Sequence, residues 1–233
     1  MELRFATYNI HKAIGLDRRR DPDRIISVLR EIDADIIALQ EVDRRLGQRV
    51  SALPRVLLDD TPWRVASVAV RPRSIGWHGN ALLVRRGITI NRANPVDLPT
   101  LEPRGAISAD LHFEGCDFRV LGVHLDLSGM RRRAQVKAIL ADCAEQSRPM
   151  PTVVMGDFNQ WSQQRGAMRS FGSAWRALSA GRSYPSRRPI AQLDRIVISD
   201  GWECSTSSVH HSALATRASD HLPLVAKLTL HKK

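Results

Sequence analysis

A series of short, β-branched, apolar segments that end in polar residues constrains this chain more than any other feature. The clearest are LRFATYN (3–9), DIIALQE (35–41), RVASVAV (64–70), NALLVRR (80–86), AISADLHF (106–113), FRVLGVHL (118–125), TVVMG (152–156), LDRIVIS (193–199) and LPLVAKLTL (222–230). Their alternation fits strands packed into sheets. Convincing helices are fewer. One starts at DPDR, where Asp21 can cap the first turn and Pro22 suits the first helical position. Ile25, Ile26, Val28, Leu29 and Ile32 then share one face. A second helix is expected from about Gly129 to Gln146, with Val136, Ile139, Leu140 and Cys143 at helical spacing. Strands in such excess, with hairpin-like neighbours and helical crossovers, imply an α/β or α+β sandwich.

No repeat, low-complexity tract or Gly/Ser linker marks a boundary, so the 233 residues are expected to form a single domain, 1–233. Hydrophobic residues make up 43% of the chain, enough for a sizeable core. No apolar run approaches the ~18 residues of a membrane span, so no transmembrane segment is expected. The start MELRFATYNI alternates like a strand instead of showing a secretory leader, and a cytoplasmic location is the expectation. Cys116, Cys143 and Cys204 are widely separated, which suits reduced thiols better than disulfides or a zinc site. The net charge of +11 favours polyanionic partners, nucleic acid or anionic lipid, although arginine-rich composition alone would give the same total. RRR (18–20), RRR (131–133) and RSYPSRR (182–188) fall in apparent loops.

The polar strand ends carry the chemistry. Asn9 closes one strand, with His11 just beyond it, and Glu41 closes another. His124 and Asp126 end a third, and Asp157 and Asn159 follow TVVMG. Asp194 opens LDRIVIS, and Asp220–His221 precede the last strand. Any one of these could be a turn or capping group. Together they suit loops converging on one edge of a rigid scaffold. Glu, Asp and Asn are hard oxygen donors that suit Mg²⁺ or Mn²⁺. HExxH, GxSxG and GxxxxGK[ST] are absent, which argues against zinc, acyl-transfer and P-loop chemistry. Histidines beside carboxylates supply acid–base groups near neutral pH. Hard metal, histidines and basic loops point to phosphate-ester hydrolysis.

TYNIH, LQEVD, GNALLVRR, GVHLD, GDFN, LDRIVIS and SDH occur in that order, and the set resembles the endonuclease/exonuclease/phosphatase (deoxyribonuclease I-like) superfamily from residue 7 to 221. The resemblance implies a four-layered α/β/β/α sandwich with two mixed sheets flanked by helices. It implies Glu41 as principal Mg²⁺ ligand, with Asn9 and Asp220 close to the metal. Asp157 and Asn159 would contact the scissile phosphate and the attacking water. His221, oriented by Asp194, resembles the family's His–Asp pair, and His124 the second histidine flanking the phosphate. Either Asp157 or His221 could take the proton from water. Asn80, Arg104, Arg132 and His11 are the expected substrate contacts; Glu102 and Arg104 could equally be turn residues. Trp161 is read as core, with base stacking or lipid contact as the alternative. The expected function is a Mg²⁺-dependent phosphodiesterase (Mn²⁺ would also suit), first a nuclease with nucleic acid as substrate. A phosphoesterase on phospholipid or a phosphorylated small molecule is the second reading, and a silent polyanion-binding module the third.

Overall fold

Alternation along the strands assigns each face of each sheet to a different core. In the first strand, β1 (Glu2–Asn9), Leu3 and Phe5 enter one apolar cluster while Ala6 and Tyr8 enter another. The computed structural model describes residues 1–44, 50–68, 73–100, 104–145, 148–162 and 164–231. After β1 the chain runs through α1 (Pro22–Ile32), β2 (Ile36–Gln40), α2 (Arg55–Asp59), β3 (Trp63–Val65), β4 (Ala81–Arg85), β5 (Thr89–Val96), β6 (Gly105–Phe113) and β7 (Cys116–His124). It continues with α3 (Gly129–Ala144), β8 (Thr152–Asp157), β9 (Trp175–Ala177), β10 (Asp194–Ser199), β11 (Trp202–Val209), α4 (Ala213–Ala218) and β12 (Leu224–Leu230). Each sheet has six strands, in the orders β11-β12-β1-β2-β4-β3 and β5-β6-β7-β8-β10-β9.

Between the sheets lie Phe5, Ile36, Leu82 and Val84 from the first and Ile107, Phe118, Val120, Val153, Met155 and Ile196 from the second. Trp202 meets Phe5 and Phe118 edge-on, with ring centroids 5.3 and 5.5 Å away. Each such fully buried side chain contributes roughly 1.5–3 kcal/mol. At Gly122 a Cβ would come 3.0 Å from Leu82 Cδ2 and 3.3 Å from Ala38 Cβ, so a larger residue there would have to push the facing sheet's side chains aside. Helices cover the outer faces: Ile25, Val28 and Leu29 of α1 pack on Ile37 and Leu39, and Val136 and Ile139 of α3 pack with Leu121, Val123 and Val154. The result is the expected α/β/β/α sandwich of two mixed sheets. Because β8 is covered on both faces, its run Val153–Val154–Met155 is uninterrupted by polar residues.

The two sheets share one plan. A parallel pair sits at the centre of each, β1–β2 in one and β7–β8 in the other, and an outer helix joins its strands. Antiparallel strands flank both pairs. Register carries the polar ends to a common edge. Asn9 pairs with Gln40, next to Glu41, and His124 pairs with Asp157. Gly105, next to Arg104, pairs with His124, and Asp194 pairs with Asp157. Ligands of α/β sheets gather at such carboxyl ends of parallel strands.

Several expectations need correction. RVASVAV is strand only as far as Val65; residues 66–68 are irregular, and 69–70 lie outside the described residues, as do Glu102 and Gln146. Arg131–Arg133 lie in the first two turns of α3, not in a loop. Trp161 is 64% exposed, so it is not core. Strands β5, β9 and β11 were not anticipated, nor were the short helices α2 and α4. Helix α1 is as expected, with the Asp21 carboxylate accepting from the Arg24 amide at 2.9 Å.

Candidate active site

Asp157 stands where the strand ends meet. Its Oδ1 accepts from the Asn159 amide at 2.9 Å, and its Oδ2 accepts from Asn9 Nδ2 at 3.1 Å, joining one sheet to the other. Gly156, just before it, is required by close approach: a Cβ would lie 1.9 Å from the Val123 carbonyl oxygen. Asn159 turns the chain at φ 49° and anchors its amide on the Leu125 carbonyl at 3.0 Å. Glu41 likewise has φ 57°, and His11, Lys12 and Ala13 have φ 46°, 58° and 58°. Left-handed backbone at non-glycine residues costs roughly 1–2 kcal/mol each. Here it is concentrated in the loops that aim the polar side chains.

His221 Nδ1 donates to Asp194 Oδ2 at 2.8 Å, and both side chains are buried. Ser183 Oγ donates to the same carboxylate oxygen at 2.5 Å, and the Tyr184 ring lies 4.8 Å from the His221 ring. Burial alone would lower the histidine's pKa, but the Asp194 charge and hydrogen bond, with Asp157 and Asp220 behind them, push it up to about 10. His221 therefore carries protons on both nitrogens, with Nε2 3.9 Å from Asp157 Oδ2.

His124 is the opposite case. Its Nε2 lies 2.5 Å from Arg104 Nη1, and a guanidinium can only donate, so the ring must accept there. Burial, reinforced by the Arg104 charge, holds its pKa down to about 4 against the pull of Asp157 and Glu41. Arg104 also donates to the Leu125 carbonyl at 2.8 Å.

Glu41 lies against the Lys12 ammonium and near the His124 and His11 rings. Burial works to raise its pKa, yet His124, Lys12 and His11 together hold it down to about 2. Asp220 is half-buried, with its Oδ1 3.8 Å from His11 Nδ1. Ser219 Oγ donates to the Asn9 carbonyl at 2.7 Å and fixes this segment against β1.

The remaining expected contacts are spread around this centre. Asn80 is fully buried and donates to the Gly105 carbonyl at 3.1 Å, bracing the chain beside Arg104. Arg132 binds Gln160 Oε1 at 3.2 Å and the Asp126 carbonyl at 3.1 Å, tying the start of α3 to the loop after β8. Ser183, Tyr184 and Lys12 were not anticipated as site residues. RSYPSRR was noticed for its arginines, whereas its Ser183 reaches Asp194 and its Tyr184 ring lies against His221.

Asp157, Asp194 and His221 bring one ligand atom each within 4.8 Å of one another, a spacing that a metal could use. His221 Nδ1–H is already committed to Asp194, so this trio works better as a proton-handling unit. Glu41, Asn9 and Asp220 offer hard oxygens of the kind a divalent cation takes, and a side-chain ammonium already rests on Glu41.

Residues 6–221 match the model of the Endonuclease/Exonuclease/phosphatase family. The chain belongs to that family. It is 31% identical to the uncharacterized protein YbhP of Escherichia coli (strain K12), over 96% of this chain and 95% of that one. An endonuclease/exonuclease/phosphatase from Bacteroides vulgatus shares the fold with a TM-score of 0.80 at 19% identity, covering 99% of this chain and 100% of that one. D. rerio TDP2, complexed with a single-strand DNA product, shares it with a TM-score of 0.76 at 15% identity, covering 98% and 99%. Membership of the endonuclease/exonuclease/phosphatase family makes the chain a phosphoester hydrolase. No helix among the described residues is long and apolar enough to cross a membrane.

Proposed function

We propose that the chain is a Mg²⁺-dependent phosphodiesterase acting on nucleic acid. The observation that carries this reading is the meeting of Asn9, Glu41, Asp157, Asn159, Asp194 and His221 at one edge of two sheets. A divalent cation held by Glu41 with Asn9 and Asp220 would neutralise charge on the phosphate oxygens. The protein's own groups then divide the work. His221, held towards its imidazolium form by Asp194, is read as the donor, its Nε2–H meeting a phosphoryl oxygen that gains charge. That leaves Asp157 to accept the proton of the attacking water, with Asn159 and Asn9 holding its two oxygens apart. Arg104 adds a fixed positive charge on the His124 side. All three cysteines are free, which suits the cytoplasm.

The net charge of +11 and the arginines at the start of α3 favour a long polyanion. Binding such a ligand releases counterions, so log K should fall with log salt by ~0.9 per phosphate contacted. The experiment is Mg²⁺-dependent hydrolysis of oligonucleotides of increasing length, beside a small phosphodiester, with Glu41→Gln as control. Arg131→Ala/Arg133→Ala should flatten the salt slope and raise KM for long strands only. Arg132 is left alone because it braces two loops.

A second reading has its own observation. Leu127, Met130 and Trp161 are 64%, 82% and 64% exposed, at the start of α3 and on the loops that Arg132 and Gln160 join. Apolar side chains beside arginines at a site's mouth also suit an anionic lipid surface. If strand length has no effect while anionic vesicles are hydrolysed, nucleic acid is the wrong substrate and phospholipid replaces it.

A further inference from the structure

Lys12 is the charged residue at this site that the proposed chemistry does not use. It follows Asn9 by one short turn in which His11, Lys12 and Ala13 all have positive φ, an uncommon run for residues with a Cβ. Hydrogen bonds pin the turn to the end of β2: Ile10 N donates to the Gln40 carbonyl at 3.0 Å, and Lys12 N donates to the Glu41 carbonyl at 3.1 Å. His11 N is tied back to Asn9 Oδ1 at 3.1 Å. Glu41 itself is left-handed at φ 57°. Two strained backbones therefore aim two side chains at each other, and the Lys12 ammonium donates to Glu41 Oε2. The side chains are only 20% and 24% exposed, so solvent screens the pair weakly.

An exposed ion pair of this kind would need no explanation. This one occupies the carboxylate on which the proposed metal seat depends. An ammonium and a divalent cation cannot both sit on Glu41 without strong like-charge repulsion. We propose that Lys12 is a tethered counter-ion of Glu41 which a divalent cation must displace, so that Lys12 sets how tightly metal binds. The inference rests on the metal reading above and adds a positioning residue to it. The tether keeps Glu41 ionised and correctly aimed, and it makes metal uptake weak enough to be favoured by an anionic phosphate, which offers the released ammonium a second partner. Metal and phosphate then bind with positive coupling.

The test is calorimetric titration of Mg²⁺ into chelator-stripped, dialysed protein at fixed ionic strength, with and without inorganic phosphate. Lys12→Met removes the charge, Lys12→Arg keeps it, and Lys12→Asn removes it with a residue that tolerates left-handed backbone. Lys12→Met and Lys12→Asn should bind Mg²⁺ about tenfold tighter than wild type or more. Their affinity should gain less from phosphate, while Lys12→Arg stays close to wild type. Circular dichroism of each variant checks the fold, and Lys12→Asn covers the case in which Lys12→Met unfolds. Equal or weaker binding by both neutral variants, with Glu41→Gln losing Mg²⁺, overturns the role of Lys12 and leaves the metal reading standing. Wild-type affinity in Glu41→Gln overturns both.

Discussion

His124 and His221 are the same side chain, both buried, with Nε2 atoms 3.4 and 3.9 Å from one oxygen of Asp157. Their charge states are nevertheless opposite. Burial pushes both pKa values down, and at His124 the Arg104 guanidinium pushes the same way, to about 4. At His221 the buried Asp194 carboxylate, which also accepts from Ser183, reverses the direction and carries the value to about 10. Distance to the shared carboxylate does not decide the protonation state: burial wins at His124, with Arg104 reinforcing it, and the Asp194 partner overturns burial at His221. One corner of the site is thereby a fixed cation and the other a neutral acceptor held by a cation. A phosphate between them would meet two positive charges of different origin.

Breaking the His221 corner should have the largest effect. Asp194→Asn removes the charge that keeps the imidazolium, and turnover should fall by ~10²–10⁴. His221→Ala should fall as far, and the double variant little further, because the pair acts as one unit. Multiplicative losses in the double variant would separate the two residues. The same pair predicts a pH signature. The folded pKa of His221 lies above its unfolded value of about 6.5, so its stabilisation is complete below that pH and is lost as pH rises through about 10. The folded pKa of His124 lies below the unfolded value, so its contribution is complete above about 6.5 and is lost as pH falls through about 4. Melting temperature should therefore decline on both flanks, and Asp194→Asn should flatten the alkaline flank alone.

The His124 corner should respond less. Arg104→Met removes the donor at Nε2 and the charge that reinforces burial, so the His124 pKa should climb back towards its ordinary value. An imidazole proton titration by NMR would detect the movement, with His221 as the internal control. Turnover should fall about tenfold through loss of one phosphate-facing charge. Arg104→Lys should restore the His124 titration in part. A His124 titration that Arg104→Met does not move would show that burial alone sets its pKa.

This contrast was only half legible in the sequence. The motif residues and the central strands could be read because β1, β2, β7 and β8 are buried on both faces or alternate cleanly, and because polar residues interrupt them abruptly at the site. The unanticipated strands β5, β9 and β11 are all sheet edges. TINRANPV and WECSTSSV are mostly exposed or half-buried, so they lack an apolar face, and Pro95 is tolerated only because β5 is an edge. At the site, identity was legible but environment was not. The pairing of Asp194 with His221 was expected from the resemblance, but nothing in GVHLD says that Arg104 will stand on His124. Trp161 failed for a related reason: aromatic character favours burial on average, but the turn that Asn159 makes at φ 49° precedes an exposed position.

Ser183 gives the finest test of the comparison, and the smallest expected effect. Its hydroxyl is fully buried and donates to Asp194 Oδ2, the oxygen that also receives His221 Nδ1–H. Asp194 Oδ1 has no hydrogen-bond partner among the described residues, so Ser183 is the group that shares this carboxylate with the histidine. Removing the hydroxyl would concentrate the Asp194 charge on His221 and raise its pKa further, but it would also free the carboxylate to rotate. The first effect leaves the imidazolium intact at neutral pH, because a pKa of about 10 already keeps it protonated. The second misaims Nε2, so the loss of turnover comes from positioning, at ~1 kcal/mol or roughly fivefold. Ser183→Ala should therefore lower kcat severalfold with KM nearly unchanged, and Ser183→Thr should recover most of it. A loss as large as that of Asp194→Asn would mean that the serine, and not the carboxylate, keeps His221 charged.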